Sequence, residues 1–169
     1  LLELVALATI SDMVPQIEDN KIFIEEGLNS LKNTFRPGLK VLSNIIDVSS
    51  QSFRSNIWEY KGDVINVIAG KIISSLNAGE SDPNGKNESY DLLTSSAPEK
   101  YSEIAENLVS KVKYKQQKIK EIAEEVERRI MKRPEETIIF EGDPAWKLIL
   151  AGPVASIIAS KYGKPTFIF

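Results

Sequence analysis

Ser96-Ala-Pro-Glu-Lys-Tyr-Ser-Glu-Ile-Ala-Glu-Asn-Leu-Val-Ser-Lys-Val-Lys-Tyr-Lys-Gln-Gln-Lys-Ile-Lys-Glu-Ile-Ala-Glu-Glu-Val-Glu-Arg-Arg-Ile130 is the stretch that decides the architecture. Tyr101, Ile104, Ala105, Leu108, Val112, Ile119, Ile122, Val126 and Ile130 recur at three- and four-residue steps, the period of one helix face. Ser96 and Glu99 have the spacing of a capping box, Pro98 is tolerated in a first turn, and Pro134 stops the pattern. A helix over 97–132 runs about 50 Å at ~1.5 Å per residue. That is longer than a small domain is wide, so the helix is expected to connect two bodies.

The segment after it reads as strand, helix, strand. Residues 137–140 (Thr-Ile-Ile-Phe) are rich in β-branched side chains, and Glu141-Gly-Asp-Pro144 is a turn. A helix is expected over 154–162, with Gly163 at its end, Pro165 just beyond and a second strand beginning at Phe167. This order predicts a parallel α/β unit. The segment before the long helix is mostly helical. Residues 1–10 are an apolar run whose period is undecided. Ile22, Ile24, Leu28 and Leu31 predict a helix over 20–32, after a turn at Glu18-Asp-Asn20. Arg36-Pro-Gly38 is a break, 39–46 a short helix and 58–76 helical in large part. Residues 77–87, with Gly79, Pro83 and Gly85 among Asn, Asp and Ser, form a loop.

The chain has 169 residues and a formal net charge of −3, so any affinity for nucleic acid has to come from a local basic patch. It contains no Cys and no His, which excludes disulfides, thiolate or imidazole metal ligands and His-activated nucleophiles. A hard-metal site built from carboxylates remains open. No apolar stretch reaches the roughly 18 residues that span a bilayer. The apolar start lacks the basic flank and cleavage site of a signal peptide, and a cytoplasmic protein is expected. The chain opens inside an apolar element without Met and closes on Pro165-Thr-Phe-Ile-Phe169, so an excised piece of a longer protein is expected.

Leu4-Val-Ala-Leu-Ala-Thr-Ile-Ser-Asp-Met-Val-Pro15, then Asn20, Glu26-Gly-Leu28 and Arg36-Pro-Gly-Leu39, resembles the fourth motif of the RecJ-like DHH phosphoesterases. Asn77-Ala-Gly79 and Tyr90-Asp-Leu-Leu-Thr94 resemble later segments of that family in the same order. Trp146-Lys-Leu-Ile-Leu-Ala-Gly-Pro-Val-Ala-Ser156 and Tyr162-Gly-Lys-Pro165 resemble the start of its DHHA1 domain. The resemblance implies an α/β fold in three parts. These are the mainly helical C-terminal part of a DHH domain (1–95), a long interdomain helix (96–133) and the first strand-helix-strand of a substrate-binding DHHA1 domain (134–169). It also favours a helix over residues 1–10.

By the same resemblance the parent is a 5′-to-3′ exonuclease on single-stranded DNA or RNA, acting in replication or repair with two Mn²⁺ or Mg²⁺ ions. Asp12 falls on the family's metal-ligand Asp. The other ligands lie upstream, so this piece by itself is expected to be inactive. Two departures stand out: Glu80 replaces an Arg, and Lys147 replaces a His. They are similar to the divergent archaeal branch associated with the replication complex GINS. The same departures admit a catalytically degenerate scaffold beside GINS and the replicative helicase. A third alternative is a phosphatase of small nucleotides or polyphosphate.

Each candidate has a plainer reading. Asp12 is either a metal ligand or a turn acid accepting backbone hydrogen bonds. Lys111, Lys113, Lys115, Lys118 and Lys120 either face a nucleic acid or form one charge block of a solvated helix. Trp146 either stacks on a base, with Lys147 on a phosphate, or packs as core. Gly152, placed at a helix start, offers backbone N–H groups to an anion, although Pro153 removes one donor. Asn77 is either a polar contact at the cleft or a solvated loop residue.

Overall fold

A computed structural model describes residues 1–51, 64–133 and 135–169 of the chain. Packing divides it into two compact units, Leu1–Val112 and Lys113–Phe169.

The first unit is helical. Helix α1 (Leu2–Ser11) settles the ambiguous apolar run as helix, and α2 (Glu18–Lys32) follows it. The two cross closely at Gly27, where a Cβ would stand 2.4 Å from both the Ala6 Cβ and the Leu2 carbonyl oxygen. Ile24, Leu28 and Leu31 of α2 are buried as expected, but Ile22 is not: it points to solvent, because two residues before Ile24 is the opposite side of a helix. Glu18, Asp19 and Asn20 form the first turn of α2 rather than a separate turn.

Helix α3 (Pro37–Gln51) begins where a break was expected. Proline at the first helical position loses an N–H that has no intrahelical partner anyway, so Arg36-Pro37 opens a helix instead of interrupting one. Helix α4 (Val64–Leu76) occupies the end of the expected 58–76 helix, whose residues 58–63 lie outside the described ones. In the loop 77–87 the Asp82 carboxylate accepts N–H bonds from Asn84 and Lys86, and Ser81 and Asn87 form an antiparallel bridge.

Helix α5 (Glu88–Thr94) had no sequence-level prediction. Asn87 caps it, its side-chain oxygen accepting from the N–H groups of Ser89 and Tyr90. The expected Ser96–Glu99 capping box does not form. Ser95 instead accepts from the Ala97 N–H, a 3₁₀ turn covers Pro98–Lys100, and α6 (Tyr101–Ile130) starts from it. With Pro98 lacking an N–H, the tighter turn supplies the helix entry. Leu39, Leu42, Ile72, Leu92 and Leu108, all nearly inaccessible, knit these helices into the first core, to which α6 also gives Tyr101, Ala105 and Val109.

The second core takes Ile122, Ala123, Val126 and Ile130 from the later turns of α6. Strand β1 (Ile139–Glu141), helix α7 (Leu148–Tyr162) and strand β2 (Thr166–Ile168) complete it, with β1 and β2 parallel in the register Ile139 to Thr166. Helix α7 begins six residues before the expected 154–162. Leu150, Val154 and Ile158, at four-residue steps, bury one stripe through the Gly152-Pro153 step, and this burial outweighs the one helical bond that Pro153 forfeits. Gly163, at φ 64°, closes α7 with its N–H on the Ala159 carbonyl. The strands turn Ile139 and Glu141 inward, while Phe140, Phe167 and Phe169 are exposed and in ring contact. Among the described residues no helix is long and apolar enough to cross a membrane.

Candidate functional site

Asp12 sits where α1 ends, and the backbone alone makes that end. The Asp12 N–H bonds the Ala8 carbonyl at 2.9 Å, Met13 to Ile10 at 3.1 Å and Val14 to Thr9 at 3.2 Å. Met13 adopts the left-handed conformation at φ 52°. These bonds are a Schellman closure, with methionine where glycine is usual. The Asp12 side chain takes no part in it. Its carboxylate is exposed and, among the described residues, accepts no hydrogen bond and pairs with no cation.

Asn77 reaches the same edge. Its N–H ends α4 on the Ile73 carbonyl at 2.9 Å, and its side-chain amide donates to the Ser11 hydroxyl at 3.4 Å, one residue from Asp12. In the sequence Asn77 and Asp12 stand 65 positions apart. No group of three or more Asp, Glu, His or Cys among the described residues is placed to hold a metal ion. Asp12 has the donor chemistry of one ligand to a hard divalent cation, and these residues do not make a complete site.

Glu80 is engaged. Its carboxylate lies 3.0 Å from the Lys111 ammonium, which also meets Glu88 at 2.6 Å. Asn107 donates to the other Glu88 oxygen at 2.7 Å. Partial burial works to raise the Glu88 carboxyl, but the Lys111 ammonium and the Glu80 N–H outweigh it and hold the group below its ordinary range. Hydrogen bonding to Glu88 moves Lys111 the other way, above its usual value. Of the lysine block, Lys111, Lys118 and Lys120 therefore lie beside acids of their own chain. Lys113 and Lys115 are exposed with no acid partner among the described residues.

In the second unit Trp146 is half-buried against the core, with the Arg129 guanidinium 5.0 Å from its ring centroid. Arg129 also donates to the Gly142 carbonyl at 3.1 Å and to Asp143 at 2.9 Å, and pairs with Glu125 at 2.9 Å. The Ala145 N–H and the Arg129 guanidinium hold the Asp143 carboxyl low. Buried Glu141 is met by Arg133. The sequence pattern gave Arg129 no role, because it read as one charge among many on a helix face.

Lys147 is exposed at the N-cap of α7 and has no ion-pair partner among the described residues. Gly152 is exposed but lies a full turn inside α7, so it does not mark the helix start and its N–H is not among the unpaired first-turn donors.

A helical unit whose first helix ends at an exposed carboxylate, a long helix giving side chains to two cores, and a parallel strand-helix-strand define a mixed α/β protein. No protein-family profile matches the chain, and no curated protein does. Solved structures do. The crystal structure of RecJ in complex with Mg²⁺ from Thermus thermophilus is similar over 99% of this chain and 24% of its own, with 22% identity and a TM-score of 0.73. The Mn²⁺ complex from the same organism gives a TM-score of 0.73 over 23% of its length. A crystal structure of exonuclease RecJ bound to manganese gives 0.70 over 40%. The chain has a RecJ-like fold, and it spans less than half the length of each of these proteins.

Proposed function

We propose that the chain is part of a RecJ-like, metal-dependent phosphodiesterase, a 5′-to-3′ exonuclease of single-stranded nucleic acid in the cytoplasm. In this reading residues 1–95 are the end of a DHH domain, 96–133 the interdomain helix and 134–169 the start of a DHHA1 domain. The observation that carries it is the α1 terminus: a helix closed by its own backbone, presenting a carboxylate with no partner among the described residues, next in sequence to the Ser11 hydroxyl that the Asn77 amide meets. Asp12 would serve as one ligand of a Mn²⁺ or Mg²⁺ pair, completed by residues outside this chain. Such ions polarise phosphoryl oxygens and activate water. Asn77 offers a donor at the α1 end, and Lys147 an exposed cation for a phosphate. Trp146 offers the part of its half-buried ring that stays exposed, and Gly152 an exposed backbone for close approach.

The test is Mn²⁺-dependent degradation of 5′-labelled single-stranded DNA by the full-length protein and by Asp12→Asn, with Mn²⁺ binding followed by calorimetry. The expected loss exceeds about 100-fold, the upper end for groups that merely support a metal ligand. Unchanged activity and Mn²⁺ affinity in the variant would overturn the reading.

The pairing of Glu80 with Lys111 favours a second reading, since an acid there works against a phosphate. In it the protein is a non-catalytic scaffold binding GINS and the replicative helicase. A full-length protein that degrades no strand with either metal, yet is retained by GINS, would establish it.

A further inference from the structure

The loop 77–87 leaves α4 at Asn77 and returns to α5 at Glu88, and both ends of it are fastened. At the start, Asn77 donates to Ser11 beside Asp12. At the far end, the Glu80 N–H donates to the Glu88 carboxylate at 3.1 Å, and the Glu88 N–H returns to the Glu80 carbonyl at 3.1 Å. Asn87 donates to the Gly79 carbonyl, and the Ser89 hydroxyl to the Leu76 carbonyl at 2.7 Å. Gly79 is pressed so closely on Ser89 that a Cβ would lie 2.1 Å from its hydroxyl oxygen. The loop is thus a strap drawn tight between α4 and α5.

A cation of the long helix sits against that strap. Lys111, on α6, is the partner that both Glu80 and Glu88 share, and Asn107, one turn earlier on α6, donates to Glu88 as well. Without Lys111 the strap brings two carboxylates together with no other ion-pair partner for either among the described residues. Like charges at that range repel, and the repulsion bears on Glu88, whose carboxylate is also the acceptor of the Glu80 N–H. Three residues, Gly79, Ala78 and Asn77, whose N–H groups close α4 on the Leu76, Ser75 and Ile73 carbonyls, separate this point from the Ser11 contact at the end of α1.

We propose that Lys111 is a positioning residue: through Glu88 it holds the strap that keeps Asn77 beside Asp12, and so couples the long helix to the edge proposed to meet metal and phosphate. This rests on the proposed function for the role of that edge, but not for the coupling itself.

The experiment uses the full-length protein with Lys111→Met and Lys111→Arg, read by hydrogen exchange of the backbone amides at 77–89 and by kcat and KM on single-stranded DNA with Mn²⁺. Lys111→Met is expected to raise exchange in the strap about tenfold, the scale of a lost hydrogen bond to a charged group. It is also expected to lower kcat more than it raises KM. Lys111→Arg restores both. Unchanged exchange in Lys111→Met would overturn the coupling. Faster exchange with unchanged kinetics would make Lys111 a structural ion-pair partner only and overturn its positioning role. Asp12→Asn, run alongside, separates the cases: full activity in that variant removes the proposed function, and the positioning role with it, whereas the exchange result still decides the coupling.

Discussion

The two units bury their helices by different means. In Leu1–Val112 the core is apolar side chains from six helices, and the close approaches are made by glycine: Gly27 against α1, and Gly38 against α5. In Lys113–Phe169 eight buried apolar residues suffice for the core, and its rim is tied by charge. Arg129 and Arg133 of the α6 end reach Glu141 and Asp143 on the β1 side, while Lys161 of α7 meets Glu127 at 2.6 Å. Larger cores tolerate loss of a contact better than small ones, because burial on folding grows with size. The contrast is one of proportion: the first unit also pairs buried Glu3 with Arg36 and Glu88 with Lys111, but adds them to a large core with close glycine approaches, whereas the second adds its ion pairs to a small one.

The sharpest way to break that comparison is Ile158→Ala. Ile158 is fully inaccessible in the second core, and its truncation is expected to cost about 2–5 kcal/mol. Amide protection monitored by nuclear magnetic resonance should fall across 139–168 and persist at Leu39, Leu42 and Leu108. Equal loss in both places would show one cooperative core instead of two.

Gly38→Ala probes the other unit. A Cβ there would sit 1.9 Å from the Leu92 carbonyl oxygen, a backbone atom that cannot swing aside, so α3 and α5 have to part. A destabilisation of about 1–3 kcal/mol, as for overpacking generally, should appear in the denaturant midpoint of the first unit. An unchanged midpoint would mean the helices slide apart freely, and the weight given to close glycine approaches would fail.

Acid titration gives the smallest effect and compares the charges themselves. Glu88 in the first unit and Asp143 in the second are both held below their ordinary values. A depressed carboxyl contributes stability that is present above its unfolded value, about 4.3 for Glu and 3.9 for Asp. That contribution is lost as the pH falls through the lower folded value. Protection at 77–89, taken relative to the intrinsic exchange rate at each pH, should therefore fall below about pH 4. In Lys111→Met, where the chief lowering partner is gone, the change should begin at higher pH. Identical profiles in the two proteins would remove Lys111 as the source of the shift.

Elements with a long, one-sided apolar period were readable directly. The long helix, the α2 burial of Ile24, Leu28 and Leu31, and the strand-helix-strand order all follow from spacing that local geometry imposes. Proline and glycine were misread for two reasons. Pro37 opens α3 because the N–H it lacks has no intrahelical partner at the first position, and Gly152-Pro153 lies inside α7 because a proline there costs one bond while a buried stripe contributes several side chains. Seven-residue α5 was missed because so short a segment has little period to show, although Asn87-Glu88 was its available start signal.

The residues alone were enough for the long helix, the strand-helix-strand after it and the absence of thiol and imidazole chemistry, and the family resemblance they carry singled out Asp12 at the end of an apolar run. Only the tertiary structure decided what that carboxylate has beside it. Asn77 reaches the α1 end, Lys111 settles between Glu80 and Glu88, and Arg129 covers one face of Trp146. These pairings join residues between 17 and 66 positions apart, as their numbers show. Side-chain periodicity reports only which face of an element is buried, whereas a polar contact depends on where two separate elements come to rest against each other.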